Sequence, residues 1–251
     1  MSRMCTLLAF AAGICALIPS VSMSQQIVDK NKGSVYEVRN GMMDGNLVGT
    51  IYYNYGEVAD WLNFPTVSGV WPKGTNHTYV DGVAMIVQAR AKDAAGSPIH
   101  PLETNYYEYV RSNQANTAKY GWEPLPGYAN SSQNTPPAQS SDPGTWPSHW
   151  PDRPSSWDGS WNGFFGRGIL NADLETYFVY DDDADREYLQ APHLFHPDTD
   201  DPTRGGLGMQ VHARGFQWSQ VLAEDVIFWY YEITNMGTTD YDSTLFAQYV
   251  D

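Results

Sequence analysis

Apolar and polar positions alternate with a period of two in several stretches of the chain, and this alternation predicts strands. Asn46 to Tyr55 sets Leu47, Ile51 and Tyr53 on one side and Val48, Thr50 and Tyr52 on the other. Tyr79 to Arg90 sets Val83, Met85, Val87 and Ala89 against Ala84, Ile86, Gln88 and Arg90, and Asp93 to Gly96 can turn the chain back onto Ile99. Thr176 to Tyr180 is a short run of β-formers, and Gly208 to Phe216 alternates Met209, Val211 and Ala213 with Gln210, His212 and Arg214. Val226 to Thr234 is the most strongly β-favouring segment. Tyr241 to Val250 follows it across Asn235 to Asp240, a connection of hairpin length with Asn and Gly available for positive φ. Helical periodicity is nearly absent, with one short turn expected at most over Leu170 to Tyr177. The pattern predicts an all-β, mostly antiparallel, sandwich-like fold.

Between the two strand-rich regions, residues 121–168 read differently. Asn130 to Thr145 is nearly all Ser, Gln, Asn, Thr, Pro and Gly, and recurring proline removes backbone donors. Trp146, Trp150, Trp157 and Trp161 follow closely, so a long irregular Trp- and Pro-rich loop is expected, its indoles lying across the sheet. Residues 25–251 then form either one β-rich domain or two packed subdomains, about 25–120 and 165–251, joined by that loop. A chain that stops on an apolar strand at Asp251 suggests the N-terminal part of a longer protein.

Residues 1–24 read as a cleavable export signal. Arg3 precedes an apolar run from Cys5 to Leu17, Pro19 breaks it, and Ser22 and Ser24 flank Met23 before Gln25. The run is short for a spanning helix, and no later stretch reaches that length. The expected destination is the cell surface, the medium or the periplasm. Both cysteines, Cys5 and Cys15, leave with the signal, so the mature chain has no disulfide.

Composition then narrows the function classes. Of 251 residues, 42% are hydrophobic and 14% aromatic, which excludes an intrinsically disordered chain. A net charge of −15 argues against nucleic acid as a partner, because phosphate recognition needs a basic surface. The charge is uneven: Ala172 to Asp251 holds 16 acids against 3 bases, whereas the preceding 171 residues hold 13 against 11.

Within that acidic half, Asp181, Asp183, Asp185 and Glu187 fall at alternate positions, and Asp198 and Asp200 follow across a short loop. Loop oxygens so spaced suit a hard cation, and calcium is the natural one. The run does not match an EF-hand loop, which needs a Gly at its sixth position. A solvated acidic loop is the favoured alternative, and no cofactor is required. Zinc-hydrolase, nucleophile-elbow and phosphate-loop motifs are absent from the sequence. His193 and His196 lack a third histidine nearby and read as structural. Trp146, Trp150, Trp157 and Trp161 suit either core packing, the favoured reading, or an aromatic platform for polysaccharide.

Several segments in order resemble a group of large exported bacterial proteins, often multidomain, that carry C-terminal sorting domains of the Bacteroidetes secretion type. They are Val70 to Thr75 (VWPKGT), Tyr79 to Val83 (YVDGV), Trp146 to Pro151 (WPSHWP), Trp157 to Gly163 (WDGSWNG), Asn171 to Phe178 (NADLETYF), Arg214 to Trp218 (RGFQW) and Ile227 to Asp240. The resemblance implies β-sandwich modules at a surface or secreted destination, and it supplies no catalytic residues. The expected function is therefore a non-catalytic exported module in adhesion, matrix or envelope structure, with other surface proteins as partners. The alternative is a carbohydrate-active module, binding or hydrolytic, that uses the loop tryptophans and carboxylates.

Overall fold

The computed structural model of the chain describes residues 27, 29–60, 67–104, 121–132 and 134–251. The export signal expected at 1–24 lies outside these. The described chain is all-β: its strands are β1 (Asn40–Met43), β2 (Thr50–Tyr53), β3 (Val83–Ala89), β4 (Ala91–Lys92), β5 (Pro98–Ile99), β6 (Leu102–Thr104), β7 (Glu123–Pro124), β8 (Asn162–Gly163), β9 (Gly166–Arg167), β10 (Leu174–Asp181), β11 (Met209–Gln217), β12 (Phe228–Asn235) and β13 (Thr244–Val250). The helical elements among the described residues are 3-10 turns of three residues. Leu174 to Tyr177 is strand, so the helical turn expected there is replaced by β10. None of the described helices is long and apolar enough to cross a membrane.

Two antiparallel sheets hold the core between them. One runs β12-β11-β10-β7, and the other runs β13-β3-β6, with the β1-β2 pair joined to it through bridges at Val58. Alternation decides which side chains enter the core. Leu174, Phe178 and Tyr180 of β10 and Met209, Val211 and Ala213 of β11 face Tyr52, Met85, Val87 and Ala89 from the opposite sheet. Stacking of Tyr52 on Phe178, with centroids 5.8 Å apart, ties the sheets at the middle of this core. The turn at 93–96 closes the predicted hairpin, pairing Ala91 with Ile99, and Gly96 takes the positive φ of 82° that the turn requires.

The hairpin expected between Val226–Thr234 and Tyr241–Val250 does not form. β12 pairs with β11, whereas β13 pairs with β3 in the other sheet, Phe246 opposite Val87 and Val250 opposite Val83. The connection crosses between sheets because its own groups are claimed by the core and a neighbouring loop. Tyr241 Oη donates to Leu207 O at 2.6 Å, Met236 N to Gly208 O, and Thr239 N to Pro197 O.

Residues 121–168 cover the outer face of the β10-β11 sheet, as the indole pattern predicts. Trp150, Trp157, Trp161, Leu125 and Tyr128 pack there against Tyr177 and Val179. The four-stranded sheet is thus a middle layer, buried on both faces over β10 and β11.

Candidate functional site

Two regions gather the polar chemistry, one on the outer face of β10 and β11 and the other in the turn that leaves β10 at Asp181. On the outer face, the polar half of the β11 alternation meets the overlying loop. Arg214 donates to Glu175 Oε1 at 2.6 Å and to Asn162 O at 2.7 Å, and its guanidinium lies 3.9 Å from the centre of the Tyr177 ring. Trp161 Nε1 donates to Glu175 Oε2 at 3.1 Å. The Tyr177 hydroxyl donates to Asp152 at 2.7 Å and lies 2.7 Å from Nδ1 of His212. Burial pushes the His212 imidazole down to about 4, since the low-dielectric surroundings disfavour its charged form; nearby Asp152 only partly offsets this.

The tryptophans placed as a sugar platform belong to this layer. Trp150, Trp157 and Trp161 are buried and Trp146 is half-buried against them. Stacking a sugar needs an open ring face, so the platform is corrected to a second core in which Trp146, Trp150 and Trp161 pack edge-on or tilted on one another and on Tyr177, while the Trp157 ring lies under the Arg153 guanidinium.

The second region is the acidic turn that leaves β10, and the sequence predicts a solvated loop there. The structure instead buries Asp181, Asp182, Asp183 and Asp185. Most of these carboxylates hold the turn itself. Asp181 accepts from Gly33 N at 3.0 Å, and Asp182 accepts from Leu207 N at 2.8 Å and Met209 N at 2.9 Å. Gly205, Gly206 and Gly208 let β11 begin so close: Gly206 has φ +61°, and a Cβ on it would meet the Asp182 side chain. Lys32 Nζ reaches Asp183 at 2.8 Å and Asp201 at 2.6 Å, and Arg204 lies 3.8 Å from Asp181 and 3.7 Å from Asp182. Desolvation dominates the protonation of these acids, raising Asp181 to about 7 and Asp185 to about 6, with Asp182 also well above the ordinary carboxylate range.

The six carboxylates singled out for calcium do not act as one ligand group. Asp181, Asp183 and Asp185 come together in the buried turn, while Glu187 is exposed at its rim. Asp198 uses its carboxylate on the backbone N–H of Asp200, in a surface turn of their own. Among the described residues, no group of three or more His, Cys, Asp or Glu side chains is placed to hold a metal ion.

One acidic residue of the region carries no sequence signal. Glu103, from β6, is fully buried, while its neighbour Leu102 is 40% exposed, so this short strand is inside out. Its carboxyl lies within hydrogen-bonding reach of Asp185, and burial, followed by the charges of Asp185 and Asp182, pushes it well above the ordinary range. A single Glu in a three-residue strand has no spacing to read, and its partner lies some eighty residues further on.

Comparison with protein-family models, with curated proteins and with solved structures gave no match.

Proposed function

We propose that the chain is a non-catalytic exported β-sandwich module of a cell-surface or secreted protein, one that joins its neighbours through strand addition. The observation that carries this reading is the open side of the sandwich. β12 and β13 end their respective sheets on the same side, with the Tyr231 and Phe246 rings 6.3 Å apart, and among the described residues each leaves one backbone edge without a strand partner. Side chains that point between the sheets are nevertheless wet there: Ile233 is 36% exposed, Phe246 50% and Val250 66%. Long apolar edges of this kind are templates for another strand unless blunted by lysine, proline or a bulge, and neither β12 nor β13 contains lysine or proline.

Charge defines the occupant. Glu224, Asp225, Glu232, Asp240, Asp242 and Asp251 lie in or next to β12 and β13 along the chain, against which stand Arg90, already paired with Asp242 at 2.5 Å, and Lys92, whose charge acts on the same carboxylate. The fitting partner is an extended segment with alternating apolar residues and basic flanks; a second copy of this acidic edge would repel.

A fluorescent peptide of alternating valine and threonine between lysine pairs is the probe. Binding that is lost in Ile233→Lys with Phe246→Lys, at unchanged circular dichroism, is the expected result. Lack of binding by the unmodified chain, or equal binding by the variant, would overturn the docking edge. Export is tested separately: a tagged full chain expressed in bacteria should leave the cytoplasm with Gln25 as its new N-terminus. Retention with Met1 intact would remove that part of the proposal.

A further inference from the structure

The buried acidic turn holds more negative charge than its surroundings neutralise. Five buried carboxylates meet there, those of Glu103, Asp181, Asp182, Asp183 and Asp185. Arg204 answers Asp181 and Asp182, and Lys32 together with the exposed Arg186 at the rim answers Asp183, Arg186 also acting on Asp185 through its charge alone. Glu103 and Asp185 are left over. Among the described residues neither makes an ion pair, both oxygens of Glu103 and Oδ2 of Asp185 are buried without a hydrogen-bond donor, and the two carboxyl groups face each other. Native interiors seldom leave a buried acceptor unpaired, and leaving two facing carboxylates so is costlier still.

Glu103 makes this more than an acidic run. It arrives from β6, a strand of the opposite sheet, and is turned into the cluster while its apolar neighbour Leu102 points to water. A strand that inverts its own burial pattern to bring a carboxylate against others needs a partner for that carboxylate.

We propose that Glu103 and Asp185 are the carboxylate ligands of a calcium ion that bridges β6 to the turn after β10. The donors are oxygens only, which selects a hard cation over zinc or copper. Calcium tolerates an irregular shell of six to eight oxygens, so two carboxylates with main-chain oxygens of the turn and water suffice; magnesium holds its own water more tightly and demands a regular octahedron. Glu187, whose charge also acts on Glu103, stands at the rim and strengthens the attraction for a cation. The rest of the turn is already rigid, since Asp181 and Asp182 are committed to backbone N–H groups, so the ion meets a prepared site. This inference is independent of strand addition at β12 and β13.

Thermal unfolding of the full chain, stripped by chelator and then given calcium or magnesium, tests it. Calcium is expected to raise the midpoint and magnesium to raise it much less. Glu103→Gln removes one ligand and the facing charge at constant shape: it should abolish the calcium response while leaving the stripped protein at least as stable as before. Asp198→Asn with Asp200→Asn should leave the response intact. No calcium response in the unmodified chain, or the same response in Glu103→Gln, overturns the site and leaves a proton shared by the two carboxyls as the reading. Should Glu103→Gln not fold, Asp185→Asn serves in its place. The metal content of the purified unmodified chain after dialysis decides independently, about one calcium per chain or none.

Discussion

Arg214 and Glu175 form an ion pair 2.6 Å long between neighbouring strands, and both side chains are shut away from water, at 5% and 0% exposure. They sit diagonally across the β10-β11 pair, Arg214 opposite Tyr177 and Glu175 opposite Phe216, on the sheet face that the Trp-rich loop covers. In the sequence Arg214 falls on the polar side of the β11 alternation, and a two-layer sandwich would leave it wet. The loop converts that polar face into an interior, so the charge must be answered there. Replacing Glu175 with Gln is expected to destabilise the fold by about 3–5 kcal/mol, because a buried guanidinium is left unanswered. Replacing both together, Glu175→Leu with Arg214→Met, is expected to cost far less than the sum of the single changes. Urea unfolding of the three variants measures this, and additive losses would refute the pairing argument.

Trp150 is fully buried and donates its indole N–H to Ser160 O at 2.9 Å. Trp150→Ala is expected to lower stability by about 3–5 kcal/mol, the usual cost of emptying a large aromatic site. A surface binding platform would instead show little change in stability. Calorimetry on the variant separates the two.

His212 gives the fold a dependence on pH. Its folded value is about 4 against 6.5 when exposed, so between these the unfolded chain binds a proton that the folded chain refuses. Stability therefore rises with pH through this window, is full above 6.5, and is lost as pH falls towards 4. Buried Asp152 and Arg214 and the half-buried Arg153 supply the neighbouring charges, of which Asp152 favours the imidazolium and the arginines oppose it. The loss is on the order of 3 kcal/mol at the acid end. His212→Gln should flatten that part of the curve; a variant curve parallel to the parent's would rule the histidine out as its source.

Gly206 predicts a further sensitivity. Ala at this position would need a left-handed backbone, and its methyl would press on Asp182. A loss of about 1–3 kcal/mol is expected for Gly206→Ala, whereas Gly205→Ala strikes the backbone oxygens of Asp183 and Asp185 and should impair folding outright. Chemical denaturation of both proteins ranks them.

The strands were legible where burial is one-sided or the β-formers are dense, as in Val83 to Ala89 and Gly208 to Phe216. Pairing was less so. Nothing in Val226 to Val250 tells that β13 leaves its neighbour for β3, because a connection of hairpin length serves equally to cross a sandwich, and the choice rests on Tyr241 and the carbonyls of Pro197 and Gly208. Around the acidic turn, the sequence places Asp181, Asp183 and Asp185 together but suggests solvent around them. Their burial depends on Gly33, on the glycines at 205–208 and on Glu103, all distant in sequence. The four tryptophans announce an ordered loop, yet composition alone leaves open whether indoles face a sheet or a ligand.

The covering loop also fixes an order of opening. β10 and β11 have the core on one face and the Trp layer on the other, and each lies between two other strands over part of its length. Solvent reaches their amides only after an outer layer has lifted, whereas β12 and β13 lie at the rim. The molecule therefore has a slow-exchanging spine and a permeable margin, and hydrogen exchange followed residue by residue would read the layers from outside in.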